Sequence, residues 1–141
     1  MAKNTGKPSE QKWEDHFTGL GKVAYFYRVV DAAEVRGRTG KIGFIRPAPS
    51  DYVLVHSGRM SFAEVKSTQA KTSFPFSVLR TTQSAVATMV IAAGGTYDVF
   101  IHNINDDCWY RVPYQLIQSV KDSGRSSIPW EQLQDFKYGI Q

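Results

Sequence analysis

The sequence predicts one α/β domain in which a mixed central β-sheet is flanked by helices. Segments with helical spacing alternate along the chain with segments rich in β-branched and aromatic residues. The 141 residues, 42% of them hydrophobic, are enough for one core and too few for two. We therefore expect a polar, disordered tail at residues 1–8 and a single domain at residues 9–141.

The first half of this pattern is a helix followed by strands. Residues 8–21 have helical spacing, with Ser9 as N-cap and an apolar stripe made by Trp13, Phe17 and Leu20. Residues 23–32 are rich in aromatic and β-branched side chains and predict a strand. Two further strands are predicted within residues 51–66, on either side of Ser57-Gly58.

The second half predicts a helix, a strand pair and a helical tail. Residues 77–95 place Leu79, Val86, Val90 and Ala93 on one stripe, and Gly94-Gly95 end the helix. Residues 96–104 and 108–113 predict an antiparallel strand pair, and residues 114–124 and 129–137 predict short helical pieces.

Several classes of protein are disfavoured by composition. No apolar run approaches the roughly 18 residues of a membrane span, and no signal peptide is visible, so we expect a soluble, cytoplasmic protein. The one cysteine, Cys108, can form neither an internal disulfide nor a CxxC zinc site. The three histidines, His16, His56 and His102, show no spacing typical of a zinc triad or a Ser-His-Asp arrangement.

Positive charge is concentrated in the first part of the chain. Residues 1–80 hold 13 Lys and Arg against 7 acids, whereas residues 81–141 hold 4 against 6. A glycine-rich segment at residues 32–50, either a loop or a short stalk, contains the cations Arg36, Arg38, Lys41 and Arg46. Such a segment is typical of a surface that binds the phosphates of a polyanion. A solvated surface loop is the alternative.

A two-residue hairpin loop at Ser57-Gly58 fixes which residues face each other. Paired positions then sum to 115, since His56 and Arg59 flank the loop. In this register Asp51 lies opposite Glu64, on the same strand face as Lys66. That face is apolar except at this end.

Two opposed carboxylates at the end of an apolar patch require a positive partner. Mg²⁺ suits this position because it prefers one or two carboxylates together with waters and phosphate oxygens. Lys66 can reach the same space and stabilise charge that develops on a phosphorus centre. An ordinary solvated hairpin is the alternative, since an E-x-K triplet is common by chance.

Two helical residues can complete such a site. Gln83 shares a stripe with Leu79 and Val86, so its amide can orient a water or a phosphate; solvation at a helix edge is the alternative. Glu14, in the first helix, can add a carboxylate. Periodicity alone does not choose among Glu14, Glu10 and Asp15.

These residues resemble the PD-(D/E)xK nuclease superfamily, with Asp51 as its first acid and Glu64 to Lys66 as its E-x-K element. The run from residue 50 to residue 83 is similar, more narrowly, to RecU-type Holliday junction resolvases, including a "KTSFP" element at residues 71–75 and a helix that bears Gln83. "KWEDHF" resembles the N-terminal helix of that family and favours Glu14. The family's helix carries a histidine before the glutamine, where this chain has Thr82, and its long stalk is replaced by the shorter basic segment.

The resemblance implies a restriction-endonuclease-like core and a metal-dependent endonuclease of bacterial or phage origin. Mg²⁺, or Mn²⁺ in its place, would be held by Asp51, Glu64, the Val65 carbonyl and Glu14. Lys66 and Gln83 would position the attacking water. The DNA contacts implied are Arg36, Arg38, Lys41, Arg46, Lys71 and Arg80.

The implied substrate is branched DNA, above all the four-way junction of recombination and repair. Two symmetric cuts would be made by a homodimer. The alternatives are a nuclease of the same superfamily that acts on flaps or linear DNA, and a non-catalytic DNA-binding module.

Overall fold

The computed structural model describes residues 6–30 and 48–140. Its centre is a five-stranded sheet in the order β1-β2-β3-β5-β6, with bounds β1 Ala24–Arg28, β2 Tyr52–His56, β3 Arg59–Thr68, β5 Tyr97–Asn103 and β6 Cys108–Pro113. Neighbouring strands are antiparallel except β3 and β5, which are parallel. The predicted mixed sheet is confirmed.

The remaining elements lie around this sheet. Two short strands, β4 (Ser73–Pro75) and β7 (Ser127–Pro129), form a separate antiparallel pair. The α-helices are α1 (Gly6–Gly19), α2 (Thr81–Ala92) and α3 (Tyr114–Asp122), and three 3₁₀ segments occur at Gly21–Val23, Phe76–Val78 and Trp130–Phe136. Within the described residues, no helix is both long and apolar enough to cross a bilayer.

The core consists of two layers, one on each face of the sheet. Helix α1 buries Trp13 and Phe17 against residues that include Tyr52 and Phe100. Ala87 of α2 and Ile117 of α3 pack with the alternate residues of β5, such as Val99. All seven residues of β5 are buried, as expected for a central strand that is covered on both faces.

The predicted hairpin is present with the predicted register. Its five residue pairs run from His56 and Arg59 at the turn to Tyr52 and Ala63 at the open end. Ser57 and Gly58 both have positive φ, 52° and 81°, which matches the type I′ turn of a two-residue loop. On the face expected to be apolar, Val55 and Met60 are exposed, because α2 and α3 cover the sheet further along.

Two helix starts differ from the prediction. Helix α1 begins at Gly6, so residues 6–8 are helical and Ser9 lies inside the first turns. Ser9 does not cap the helix, since its buried hydroxyl is bonded to the His102 ring. Helix α2 begins at Thr81, so Leu79 precedes it. Arg80 is extended, and Gln83 Oε1 accepts a hydrogen bond from the Arg80 N–H at 3.1 Å. This capping interaction stabilises the start of the helix at Thr81.

The chain ends partly as predicted. Residues 114–122 form α3, and the helical piece expected at residues 129–137 is the 3₁₀ segment Trp130–Phe136. The pairing of β4 with β7 was not predicted, because strands of three residues that contain proline give no periodic signal. The basic segment and its four cations lie almost wholly outside the described residues.

Candidate metal centre

Asp51 stands immediately before β2, where the hairpin opens. Its carboxylate reaches across to β3, since Asp51 Oδ2 accepts a hydrogen bond from the Val65 N–H at 2.9 Å. On its other side, the Asp51 carbonyl accepts from the Val29 N–H at 2.9 Å. Backbone from two neighbouring strands therefore fixes the position of this acid.

Glu64 lies in the middle of β3, which is itself an interior strand of the sheet. Its side chain is completely buried, and no donor among the described residues bonds either oxygen of the ionised carboxylate. In the protonated form Glu64 can donate a hydrogen bond to the neighbouring Asp51 carboxylate. Burial, and after it the neighbouring Asp51 carboxylate, raises the pKa of Glu64 to about 9, and Lys66 acts in the opposite direction. A buried carboxyl group without a partner is costly, so its presence calls for an explanation.

A hard divalent cation would supply the missing partner. The Asp51 and Glu64 carboxylates are oxygen donors of the type that Mg²⁺ prefers, and Mg²⁺ commonly takes only one or two carboxylates from a protein. Within the part of the chain that the structure describes, no cluster of three or more His, Cys, Asp or Glu has metal-binding geometry. A site completed by waters and a substrate phosphate is compatible with both observations, and the Val65 carbonyl remains a predicted ligand.

Helix α1 brings two carboxylates toward this pair. Glu14 Oε2 accepts a hydrogen bond of 2.6 Å from the Tyr52 hydroxyl. Glu10 lies one helical turn earlier, and its pKa is raised by burial and then by Asp51, while Arg28 and Lys66 lower it. Glu10 therefore interacts electrostatically with Asp51 and Lys66, so Glu10 as well as Glu14 lies near the site. Asp15 is exposed and bonded by Gln11 Nε2 at 2.9 Å.

Lys66 and Gln83 differ in how closely they join the site. Lys66 follows Glu64 by two positions in β3, is half-buried, and lowers the pKa of both Glu64 and Glu10 through its charge. The described contact of the Gln83 side chain runs to the start of its own helix instead. The structure thus joins Lys66 to the carboxylates and leaves the role of Gln83 a prediction.

Tyr97 is a site residue that the sequence reasoning missed. It is buried at the start of β5, two residues before Val99, the partner of Glu64 in the parallel register. Its hydroxyl donates to the Pro49 carbonyl at 2.7 Å, which ties the segment before Asp51 to the sheet. Burial first, and then the charges of Glu64 and Asp51, raise the pKa of Tyr97 well above its usual value. The alternation of β5 was the one signal that could have indicated it.

The residues expected to contact DNA are only partly described. Lys71 and Arg80 are exposed, on either side of the segment that contains β4. Arg36, Arg38, Lys41 and Arg46 lie outside the described residues.

Comparison with known proteins adds a family and a fold. A model of the RecU family, described as recombination protein U, matches residues 14–141. The solved structures include the Holliday junction resolvase Hjc from Archaeoglobus fulgidus, an archaeal hyperthermophile. Hjc is 16% identical to this chain and the match covers 80% of this chain and 75% of Hjc, with a TM-score of 0.50. No curated protein matches the sequence. The likeness to Hjc concerns the fold of a nuclease.

Proposed function

Since this chain belongs to the RecU family, we propose that it is a metal-dependent endonuclease that resolves four-way DNA junctions. The observation that carries the proposal is the buried carboxyl of Glu64, which in its ionised form has no hydrogen-bond donor among the described residues and lies beside Asp51 and Lys66. A buried acid next to a second acid and a lysine suits phosphodiester hydrolysis better than structural support. The likeness of the fold to Hjc, whose title names it a Holliday junction resolvase, supports the choice of substrate.

Different side chains of the site would bind the cation and position the attacking water. Asp51 and Glu64, with the Val65 carbonyl and an α1 carboxylate, would hold Mg²⁺, or Mn²⁺ in its place. The bound cation supplies Lewis acidity toward the scissile phosphate and the leaving 3′ oxygen. Lys66 holds the attacking water near the phosphorus and stabilises the charge that develops on the phosphate oxygens. Gln83, released from the Arg80 N–H, would orient the same water.

Asp51 is kept in position without the cation. Its hydrogen bond from the Val65 N–H holds one oxygen against β3. Tyr97 holds Pro49 two residues earlier, so the turn into Asp51 is also fixed. Preorganisation of this kind reduces the cost of ordering the site when substrate binds.

Resolution of a junction requires two symmetric cuts, and a C2 homodimer would supply two such sites. The basic segment around Arg36 to Arg46 would grip the DNA backbone near the branch point.

A substrate panel tests the proposal. Wild-type protein, Lys66→Ala and Asp51→Asn are incubated with a synthetic four-way junction, a flap and a linear duplex, each with Mg²⁺ and with EDTA. We expect paired nicks in the junction by the wild type alone, and only with Mg²⁺. Preference for the linear duplex or the flap would indicate another nuclease of the superfamily. Salt-sensitive binding without cleavage of any substrate would indicate a non-catalytic DNA-binding module.

A further inference from the structure

A groove lined by hydroxyl, cationic and apolar residues, the last being Pro75, Phe76 and Leu79, lies beside the start of α2. It has a volume of about 660 Å³ and is formed by β4, the residues that precede α2, and the segment between α3 and β7. Its hydroxyl side chains belong to Ser73, Ser77, Thr81, Ser84, Ser126 and Ser127. Two cations, Lys121 and Arg125, complete the polar lining, and no carboxylate lines it.

Neither cation in the groove is neutralised within the described residues. No ion pair there involves Lys121 or Arg125, and the side-chain partner of Arg125 is the neutral Gln132, with 3.4 Å between Nη1 and Oε1. The nearby acid Asp122 lines a different groove between α2 and α3, where it accepts a hydrogen bond from Gln118. Half of the four cations in the otherwise acidic residues 81–141 therefore stand at this groove.

The chemistry of the lining matches a phosphodiester backbone. Phosphate oxygens are contacted in protein complexes by Lys and Arg together with Ser and Thr hydroxyls, which supply hydrogen bonds without any dependence on base sequence. Lys71 and Arg80 extend the positive surface, since each lies within two residues of a lining residue and is exposed.

The groove is also within reach of DNA bound at the carboxylates. Ser73 follows Lys66 by seven residues. Its Cα atom therefore lies within about 25 Å of the Lys66 Cα atom, because an extended chain spans at most about 3.6 Å per residue. That distance corresponds to about seven base pairs of duplex at 3.4 Å each.

We propose that this groove, through Lys121 and Arg125, binds the backbone of the DNA arm that extends from the cleavage site. The inference rests on the proposed function and adds a second contact surface to it, formed by residues other than those of the metal centre. Contacts of this kind position the substrate and carry no sequence preference.

The salt dependence of junction binding tests the inference. Affinity for a four-way junction is measured by fluorescence anisotropy in EDTA, where no cleavage occurs, between about 50 and 200 mM salt. The double variant Lys121→Gln/Arg125→Gln is compared with Lys22→Gln/Arg59→Gln. The control also replaces one Lys and one Arg. Its residues lie near the turn of the hairpin, where Arg59 pairs with His56, and Asp51 stands at the open end.

We expect the groove variant to bind more weakly. The slope of log affinity against log salt is negative, and its magnitude should decrease by about 2 in the groove variant, while the control keeps the wild-type slope. Thermal unfolding checks that both variants fold. An unchanged slope in a folded groove variant, or an equal loss in the control, would overturn the inference and leave the proposed function intact if the wild type still cleaves junctions. A wild type that binds no junction at all would overturn both.

Discussion

Val65 donates its backbone N–H to Asp51 Oδ2 at 2.9 Å, so the acid that precedes β2 is locked to the residue that follows Glu64 in β3. One hydrogen bond thereby brings two carboxylates from opposite strands of the hairpin to the same end of the sheet. Burial and Asp51 then hold Glu64 protonated over much of the neutral range. The site is assembled by the sheet before any ligand binds.

The protonation of Glu64 makes the stability of the metal-free protein depend on pH. Because folding raises the Glu64 pKa from 4.5 to about 9, the folded state holds more protons than the unfolded state between these values. The free energy of unfolding therefore falls as pH rises through this window. We expect a loss on the order of a few kcal/mol, since one pKa unit corresponds to about 1.4 kcal/mol.

Thermal unfolding in EDTA at pH 5 and pH 8 measures this loss. The variant Glu64→Gln keeps the shape and cannot ionise, so its stability should decline less between the two pH values. Equal declines in the variant and the wild type would show that Glu64 does not titrate as described.

The two α1 carboxylates should respond differently to substitution. Burial and then Asp51 raise the pKa of Glu10, and Lys66 lowers it. Glu14 accepts a hydrogen bond from the buried Tyr52. We expect Glu10→Gln to raise the Mg²⁺ concentration needed for half-maximal cleavage several-fold. Glu14→Gln should instead lower the melting temperature, because the Tyr52 hydroxyl loses a charged acceptor.

Asp15→Asn serves as the control for both, since Asp15 is exposed on the same helix. If Glu14→Gln shifts the Mg²⁺ requirement more than Glu10→Gln, the assignment of the two carboxylates must be exchanged.

A chain of hydrogen bonds, buried at Ser9 and His102 and exposed at Asp107, fastens the first turns of α1 to the sheet. Ser9 Oγ and His102 Nδ1 are 2.8 Å apart, His102 Nε2 and Asp107 Oδ1 are also 2.8 Å apart, and the His102 ring stacks on Trp109. Ser9 is only 2% exposed and His102 4%, so the hydroxyl and the ring are inaccessible to a substrate and act as a support, although Asp107 is exposed. We expect Ser9→Ala to cost about 1–3 kcal/mol, because a buried ring nitrogen loses its partner.

Urea unfolding of Ser9→Ala measures that cost. Ser119→Ala, at an exposed position of α3, is the control. A Ser9→Ala variant as stable as the control would show that the hydrogen bond contributes nothing to holding α1.

A second buried connection joins β5 to β6. Arg111 Nε donates to Asp98 Oδ2 at 3.0 Å, and the Arg111 guanidinium lies over the Phe100 ring, 5.1 Å from its centre. We expect Asp98→Asn to destabilise the protein by about 1–3 kcal/mol, because the partly buried Arg111 charge loses its counterion.

The double variant Asp98→Leu/Arg111→Met should recover part of this loss, since it removes both charges. Urea unfolding of Asp98→Leu, Arg111→Met and the double variant gives the coupling energy. Additive losses would show that the ion pair is not coupled.

The sequence predicted features that depend on local signals. The Ser57-Gly58 turn and the alternation of its strands were sufficient to give the register that places Asp51 near Glu64. Features with distant partners were missed. Ser9 was assigned a cap because its true partner, His102, lies 93 positions away in the sequence. Tyr97 was missed because its proximity to Glu64 depends on the parallel pairing of β3 with β5.

Helical periodicity also could not decide whether Glu10 or Glu14 lies closer to the site. Both residues lie on the same side of α1, one turn apart, and periodicity treats them as equivalent. The packing of Trp13 against Tyr52, with ring centres 4.2 Å apart, sets the rotation of the helix over the hairpin. That rotation is a property of the folded core and is absent from any single segment.

We propose that Asp51 and Glu64 together bind a divalent cation, and a Mn²⁺ titration measures this binding. Free Mn²⁺ is followed by electron paramagnetic resonance while wild type, Asp51→Asn, Glu64→Gln and Asp15→Asn are titrated at pH 8. We predict that wild type and Asp15→Asn bind Mn²⁺ alike and that the other two variants bind at least about tenfold more weakly, as loss of a ligand implies. Equal Mn²⁺ binding by all four proteins would contradict the account.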